Sequence, residues 1–170
     1  VIEEPRPEFR VGIGTDLHLL VEDRKLMLGG VQIPFSRGLL GHSDGDVALH
    51  AIIDALLGAA GLGDIGTLFP DTDPRFKDAD SKGLVLDVRE RLMARQWEVV
   101  NVDLTIHLEQ PRLEPHKGYI RRCIADLLDM DFASVNVKAK TNEGVGEIGR
   151  GEAIAATAVA LLRQKKRRTL

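Results

Sequence analysis

The chain has a single cysteine, Cys123, in 170 residues. An internal disulfide is therefore excluded, and so is a zinc site built from several thiolates; any metal must be held by histidine and carboxylate. Also missing is an apolar run approaching the ~20 residues that cross a membrane. Basic residues are in slight deficit, Lys+Arg 23 against Asp+Glu 26, for a net charge of -3. Proteins that grip phosphate backbones carry the opposite balance, so neither nucleic acid nor a membrane is an expected partner. The start carries Glu3, Glu4, Pro5, Pro7 and Glu8 where a signal peptide would have an apolar core. It also lacks an initiator Met, which leaves a removed leader open. The expected location is cytoplasmic if the source is bacterial, or plastid if a transit peptide has been removed.

What is present fits one domain. A chain of this length buries about 70% of its unfolded surface, and no linker or repeat divides it. Phe9, Val11 and Ile13 alternate with Arg10, Gly12 and Gly14, which predicts a half-buried strand. Leu26 to Ile33, interrupted by Gly29-Gly30, reads as an extended stretch with a turn, and as a hairpin partner for that strand. Leu49, Ile52, Ile53, Leu56 and Leu57 recur at helical spacing, predicting an amphipathic helix capped by Ser43 or Asp44. A turn-rich loop runs from Gly58 to Pro74, and a second helix opens at Asp80 or Ser81 with Val85, Val88 and Leu92 inward and Arg89, Glu90, Arg91 and Arg95 outward. Val100 to Leu108 alternates as a strand, with Pro111 beyond it. A helix from about Pro115 carries Ile120, Cys123, Ile124, Leu127 and Leu128 inward, and Val135, Val137 and Ala139 form a short strand. The Ala-rich run from Glu152 to Leu162 reads as a closing helix, with Lys165, Lys166, Arg167 and Arg168 as its solvated end. The expected fold is thus α/β (α+β): one domain, a mixed β-sheet covered by helices.

Several residues carry chemistry. In Asp16-x-His18 the two side chains leave one side of an extended strand, since i and i+2 point the same way. Such a pair holds a metal or simply bonds locally. His50, on a helix edge, supplies a third donor, and one Asp with two His would leave a tetrahedral zinc with an open position. Asp46, His50 and Asp54 recur every four residues, so Asp46 is a candidate outer partner for His50. His42 precedes a helix N-terminus, where free amides favour phosphate; it is equally well a loop histidine beside a cap. Asp64-Ile65-Gly66 and Asp71-Thr72-Asp73 suit a hard cation, sugar hydroxyls or a plain turn. Thr141 and Glu143 follow a strand and suit a phosphate and a divalent cation, or a surface turn. His107 and His116 read as surface residues and Cys123 as core.

Taken together, Gly14-Thr15-Asp16-Leu17-His18, the run from Leu40 through His42-Ser43-Asp44-Gly45-Asp46 to His50, and Gly63 to Asp73 resemble the 2-C-methyl-D-erythritol 2,4-cyclodiphosphate synthases. Val102 to Ile106, Val135 to Thr141 and Gly149-Arg150-Gly151-Glu152 continue the match in order, over about residues 10 to 162 of a single synthase domain. The resemblance implies conversion of 4-diphosphocytidyl-2-C-methyl-D-erythritol 2-phosphate to the 2,4-cyclodiphosphate and CMP, by intramolecular phosphoryl transfer in isoprenoid precursor biosynthesis. It implies Zn²⁺ on Asp16, His18 and His50, Mg²⁺ or Mn²⁺ on Glu143, and His42 and Thr141 as transition-state stabilisers. Substrate contacts carried over in the same way are Asp16, Leu17, His18, His42 and Ser43; Asp64, Ile65 and Gly66; Phe69, Pro70, Asp71, Thr72 and Asp73; Leu108, Glu109, Gln110, Pro111, Arg112, Leu113 and Glu114; Lys140, Thr141, Asn142 and Glu143; and Arg150. Members are homotrimers with each active site between two subunits.

The chain departs from the common pattern at Glu147, where many members have Phe, while Arg150 still matches. Two rival readings remain: a zinc-dependent nucleotide phosphohydrolase using a metal-bound water, and a binding module that keeps the metal as a structural element.

Overall fold

The computed structural model describes residues 9–76 and 79–165; the acidic start and the basic residues 166–168 lie outside them. Its elements are β1 (Phe9–Glu22), β2 (Leu26–Leu28), β3 (Val31–Ile33), β4 (Arg37–Leu39), α1 (Val47–Ala60), α2 (Ile65–Leu68), α3 (Ser81–Ala94), β5 (Trp97–His107), α4 (Lys117–Leu128), β6 (Val135–Lys140), α5 (Gly146–Gly149) and β7 (Ala153–Gln164). The main sheet runs β4-β1-β7-β5-β6, antiparallel except for the parallel β5–β6 pair. Leu26 to Ile33 is a separate hairpin turning at Gly29-Gly30, not the partner of β1.

The closing helix is the largest correction. Ala153–Gln164 is a strand lying between β1 and β5. Alanine favours helix only weakly. Here Ile154, Ala156, Ala158, Ala160 and Leu162 alternate inward and are all buried, a period of two that the run of small residues conceals.

That smallness has a use. On β1 it is Gly12 and Gly14 that face α1, so closely that a Cβ at either would enter the helix backbone at Ala55 or Ala51. With two small faces beneath it, α1 lies flat on β1 and β7 and buries Val47–Ala60 almost entirely, leaving only Asp54 and Gly58 outside the buried set. The expected amphipathic helix is therefore apolar nearly all round. Its N-cap is Asp46, not Ser43 or Asp44: the buried carboxylate accepts from Ala48 N and Leu49 N and also from Gly29 N and Gly30 N of the β2–β3 turn.

The apolar side of β1 faces the other way. Val11 is 69% exposed and Ile13 67%, and Phe9, Leu17, Leu19 and Val159 of β7 share that outer face. Among the described residues the helices cover one face of the expected mixed sheet and leave the other open. Two smaller corrections concern the helices. Arg89 is half-buried and donates to Leu127 O, and Cys123 is half-buried rather than core.

A candidate metal centre at the edge of the sheet

Asp16 and His18 leave β1 on its helix side, and His50 reaches them from the first turns of α1. Asp16 Oδ2 lies 3.0 Å from His18 Nε2 and 2.9 Å from His50 Nδ1, and the two nitrogens are 3.4 Å apart. A tetrahedral zinc with ligands at about 2.0–2.1 Å spaces its ligand atoms about 3.3 Å apart, so the triangle fits one ion. Burial works to raise the Asp16 pKa, but its hydrogen bonds to both imidazoles outweigh this and hold the carboxyl well below the usual carboxylate range. The same contact raises His18, against the opposing effect of burial.

A cavity of about 200 Å³ opens over these three residues, walled by His42, Ser43, Ile65, Gly66, Phe69, Asp71, Phe76 and Leu84. His42 Nε2 is buried there without a hydrogen-bond partner, a donor or acceptor left for a ligand. Free amides at the α1 N-terminus do not assist it, because Asp46 already takes Ala48 N and Leu49 N. For the same reason Asp46 is not the outer partner of His50. That place is taken by Ser81 Oγ at 2.9 Å, with Ser43 Oγ at 3.2 Å, both on His50 Nε2. Ser81 and Asp44 were invisible to sequence reasoning as site residues; Asp80-Ser81 signalled only a helix start.

The loop beyond α1 is shaped by its own acids. Asp54 accepts from Ile65 N, Asp64 caps α2 through Thr67 N, and Asp73 is gripped by the Arg75 guanidinium. Burial raises the Asp54 pKa despite the Ile65 amide. Phe69 is buried edge-to-face on Phe76, ring centres 5.3 Å apart.

The remaining expected contacts lie elsewhere in the chain. Leu17, Ala155, His107 and Lys140 stand in one row across β1, β7, β5 and β6. At about 4.8 Å per strand, the segments 108–114 and 140–143 therefore begin roughly 10–14 Å to the side of the metal cluster, and none of their residues walls its cavity. Those two segments are tied to each other: Glu109 Oε1 accepts from Asn142 N and Gly144 N. Thr141 Oγ1 donates to Glu143 Oε1 at 2.6 Å. Leu108 and Leu113 are buried in the core. Arg150 is paired with Glu152 at 2.9 Å and lies 3.9 Å from Glu147, so Glu147 adds negative charge beside it.

The model of the YgbB family matches residues 9–163. A 2-C-methyl-D-erythritol 2,4-cyclodiphosphate synthase of Bordetella petrii is 57% identical over 154 residues, 91% of this chain and 95% of its own. The bifunctional IspDF of Campylobacter jejuni superposes with a TM-score of 0.91 at 42% identity; the match covers 95% of this chain but 44% of that longer one. The CDP complex of IspF from Plasmodium falciparum gives a TM-score of 0.83 at 34% identity, covering 95% of this chain and all of the other.

Proposed function

The chain belongs to the YgbB family, and on that premise we propose that Asp16, His18 and His50 form the zinc centre of its cyclisation reaction. The enzyme is a 2-C-methyl-D-erythritol 2,4-cyclodiphosphate synthase, converting 4-diphosphocytidyl-2-C-methyl-D-erythritol 2-phosphate to the cyclodiphosphate and CMP in isoprenoid precursor biosynthesis. The observation that carries the assignment of the site is the convergence of one carboxylate and two imidazole nitrogens in a cavity that also receives the unpartnered Nε2 of His42.

Zinc, when bound, supplies Lewis acidity at the phosphorus under attack, and Mg²⁺ or Mn²⁺ at Glu143 supplies charge neutralisation along the diphosphate. The nucleophile is the 2-phosphate of the same molecule, already charged, so the protein needs no strong general base. Its residues align and neutralise. His42 Nε2 hydrogen-bonds a phosphate oxygen, and Thr141 Oγ1 turns from Glu143 to another. Ser43 lies beside the 2-phosphate, while Asp64 to Gly66 and Phe69 to Asp73 enclose the methylerythritol end and exclude water. Leu108 to Glu114 and Lys140 to Glu143 hold the cytidine diphosphate through backbone groups; that a relative is a CDP complex supports a cytidine nucleotide as the ligand class. Arg150 reaches phosphate by exchanging Glu152 for it.

In this reading the nucleotide segment and the metal cluster of one site come from two chains of a homotrimer. Two observations support that: the lateral gap of roughly 10–14 Å between them within one chain, and the uncovered apolar face carrying Val11, Ile13 and Leu17. Phosphorus NMR of the protein with its substrate, with zinc and Mg²⁺ and again after chelation, tests the whole. A metal-dependent pair of coupled cyclic-diphosphate signals appearing with CMP is the expected result. A linear phosphate would mark a hydrolase.

A further inference from the structure

His50 has two faces, and only one of them meets the metal cluster. Its Nδ1 lies 2.9 Å from Asp16 Oδ2, while its Nε2 points into the protein toward Ser81 Oγ at 2.9 Å. Ser81 is fully buried and sits at the first residue of α3. Its hydroxyl donates to Asp44 Oδ1 at 2.5 Å, and its backbone N–H donates to Asp44 Oδ2 at 3.1 Å.

A carboxylate only accepts, and a serine has one hydroxyl proton. With that proton given to Asp44, Ser81 Oγ can only accept from His50, so the imidazole must carry its proton on Nε2. In the neutral imidazole the Nδ1 lone pair is then free for a metal ion at the cluster, which would take the place of the proton in the Asp16 contact. Ser43 Oγ, 3.2 Å from the same Nε2, is a second and longer acceptor. Resting on the zinc reading above, we propose that Ser81 and Asp44 are positioning residues that lock the His50 tautomer and present Nδ1 to the metal.

The pair also joins the metal centre to the substrate loop. Asp44 holds the end of the segment running from Asp64 to Asp80 at two points: its own N–H donates to Ala79 O at 3.2 Å, and its carboxylate receives both Ser81 donors. Asp44 Oδ1 additionally accepts from Asp46 N at 3.2 Å, which fixes the carboxylate against the start of α1. The imidazole is thus aimed by the anchor of the same loop that supplies Phe69, Asp71 and Phe76 to the cavity.

The test is long-range proton–nitrogen NMR of protein labelled with ¹⁵N-histidine at mildly alkaline pH, combined with zinc titration against a competing chelator. Wild-type His50 is expected as the Nε2–H tautomer with zinc loaded, and Ser81→Ala is expected to bind zinc about 10- to 100-fold more weakly, with Ser81→Thr recovering most of the loss through its hydroxyl. An Nδ1–H signal in the zinc-loaded wild type, or unchanged zinc affinity in a folded Ser81→Ala, would overturn the proposal. Failure of the wild type to bind zinc at all would instead sink the zinc reading, and the tautomer of the metal-free protein would still report on Ser81.

Discussion

Asp16 Oδ2 stands 2.9 Å from His50 Nδ1, joining a strand residue to a helix residue 34 positions along the chain. Two atoms this close share a cation, either a proton on the ring nitrogen or a metal ion, and His18 Nε2 completes the third corner at 3.0 Å from the same oxygen. The first predictions concern that cation.

His18→Ala removes one of the three proposed ligands. Zinc affinity is expected to fall by at least about 100-fold, beyond the usual cost of losing an outer partner, with turnover lost alongside. Metal analysis after dialysis, run beside the activity assay, checks it; an active, zinc-free variant would refute the assignment.

Zinc binding should weaken on acidification earlier than an ordinary histidine would dictate. The hydrogen bond to Asp16 raises the His18 pKa above 6.5, and zinc competes with that proton for the same nitrogen. Affinity is therefore complete above the raised pKa and falls as pH drops through it. In the metal-free protein the sign reverses: the His18–Asp16 pair stabilises the fold at low pH, and that contribution disappears as pH rises through the raised value. Chelator competition at stepped pH measures the first effect, and a decline confined to pH below 6.5 would contradict it.

Glu143→Gln should leave zinc content unchanged while abolishing the stimulation by Mg²⁺ or Mn²⁺ and lowering turnover by about 100-fold. Equal loss of both metals would place Glu143 in the zinc centre instead.

Val11→Asp combined with Ile13→Asp puts two charges on the uncovered face without touching the core, since both side chains are more than half exposed. Sedimentation velocity should show a monomer with unchanged circular dichroism, and turnover should fall about 100-fold as the reacting groups lose alignment. An active monomer would show that one chain holds a complete site.

Gly14→Ala should cost about 1–3 kcal/mol or more through overpacking, because the new methyl would enter the α1 backbone at Ala51. Urea unfolding midpoints measure this, and an unchanged midpoint would mean that α1 can lift from β1 freely.

The sequence by itself determined those features whose cause is local. The alternation of Val102, Leu104 and Ile106 made β5 readable, and Asp16-x-His18 already placed two candidate ligands on one side of a strand, since a pleat repeats every two residues. Leu49, Ile52, Ile53 and Leu56 marked α1, whose edge carries His50. The long-range match of motifs added the activity.

Tertiary structure decided what depends on which surface meets which. Ala153–Gln164 is strand because it is hydrogen-bonded on both sides by β1 and β5, and those bonds outweigh the small helical preference of alanine. Val11 and Ile13 point outward because Gly12 and Gly14 admit α1 on the opposite side. The outer partner of His50 came from Ser81, 31 residues away, and not from Asp46, because the β2–β3 turn brings its amides to the Asp46 carboxylate. Periodicity describes one element at a time; which side chains share a site is settled only when separate elements pack.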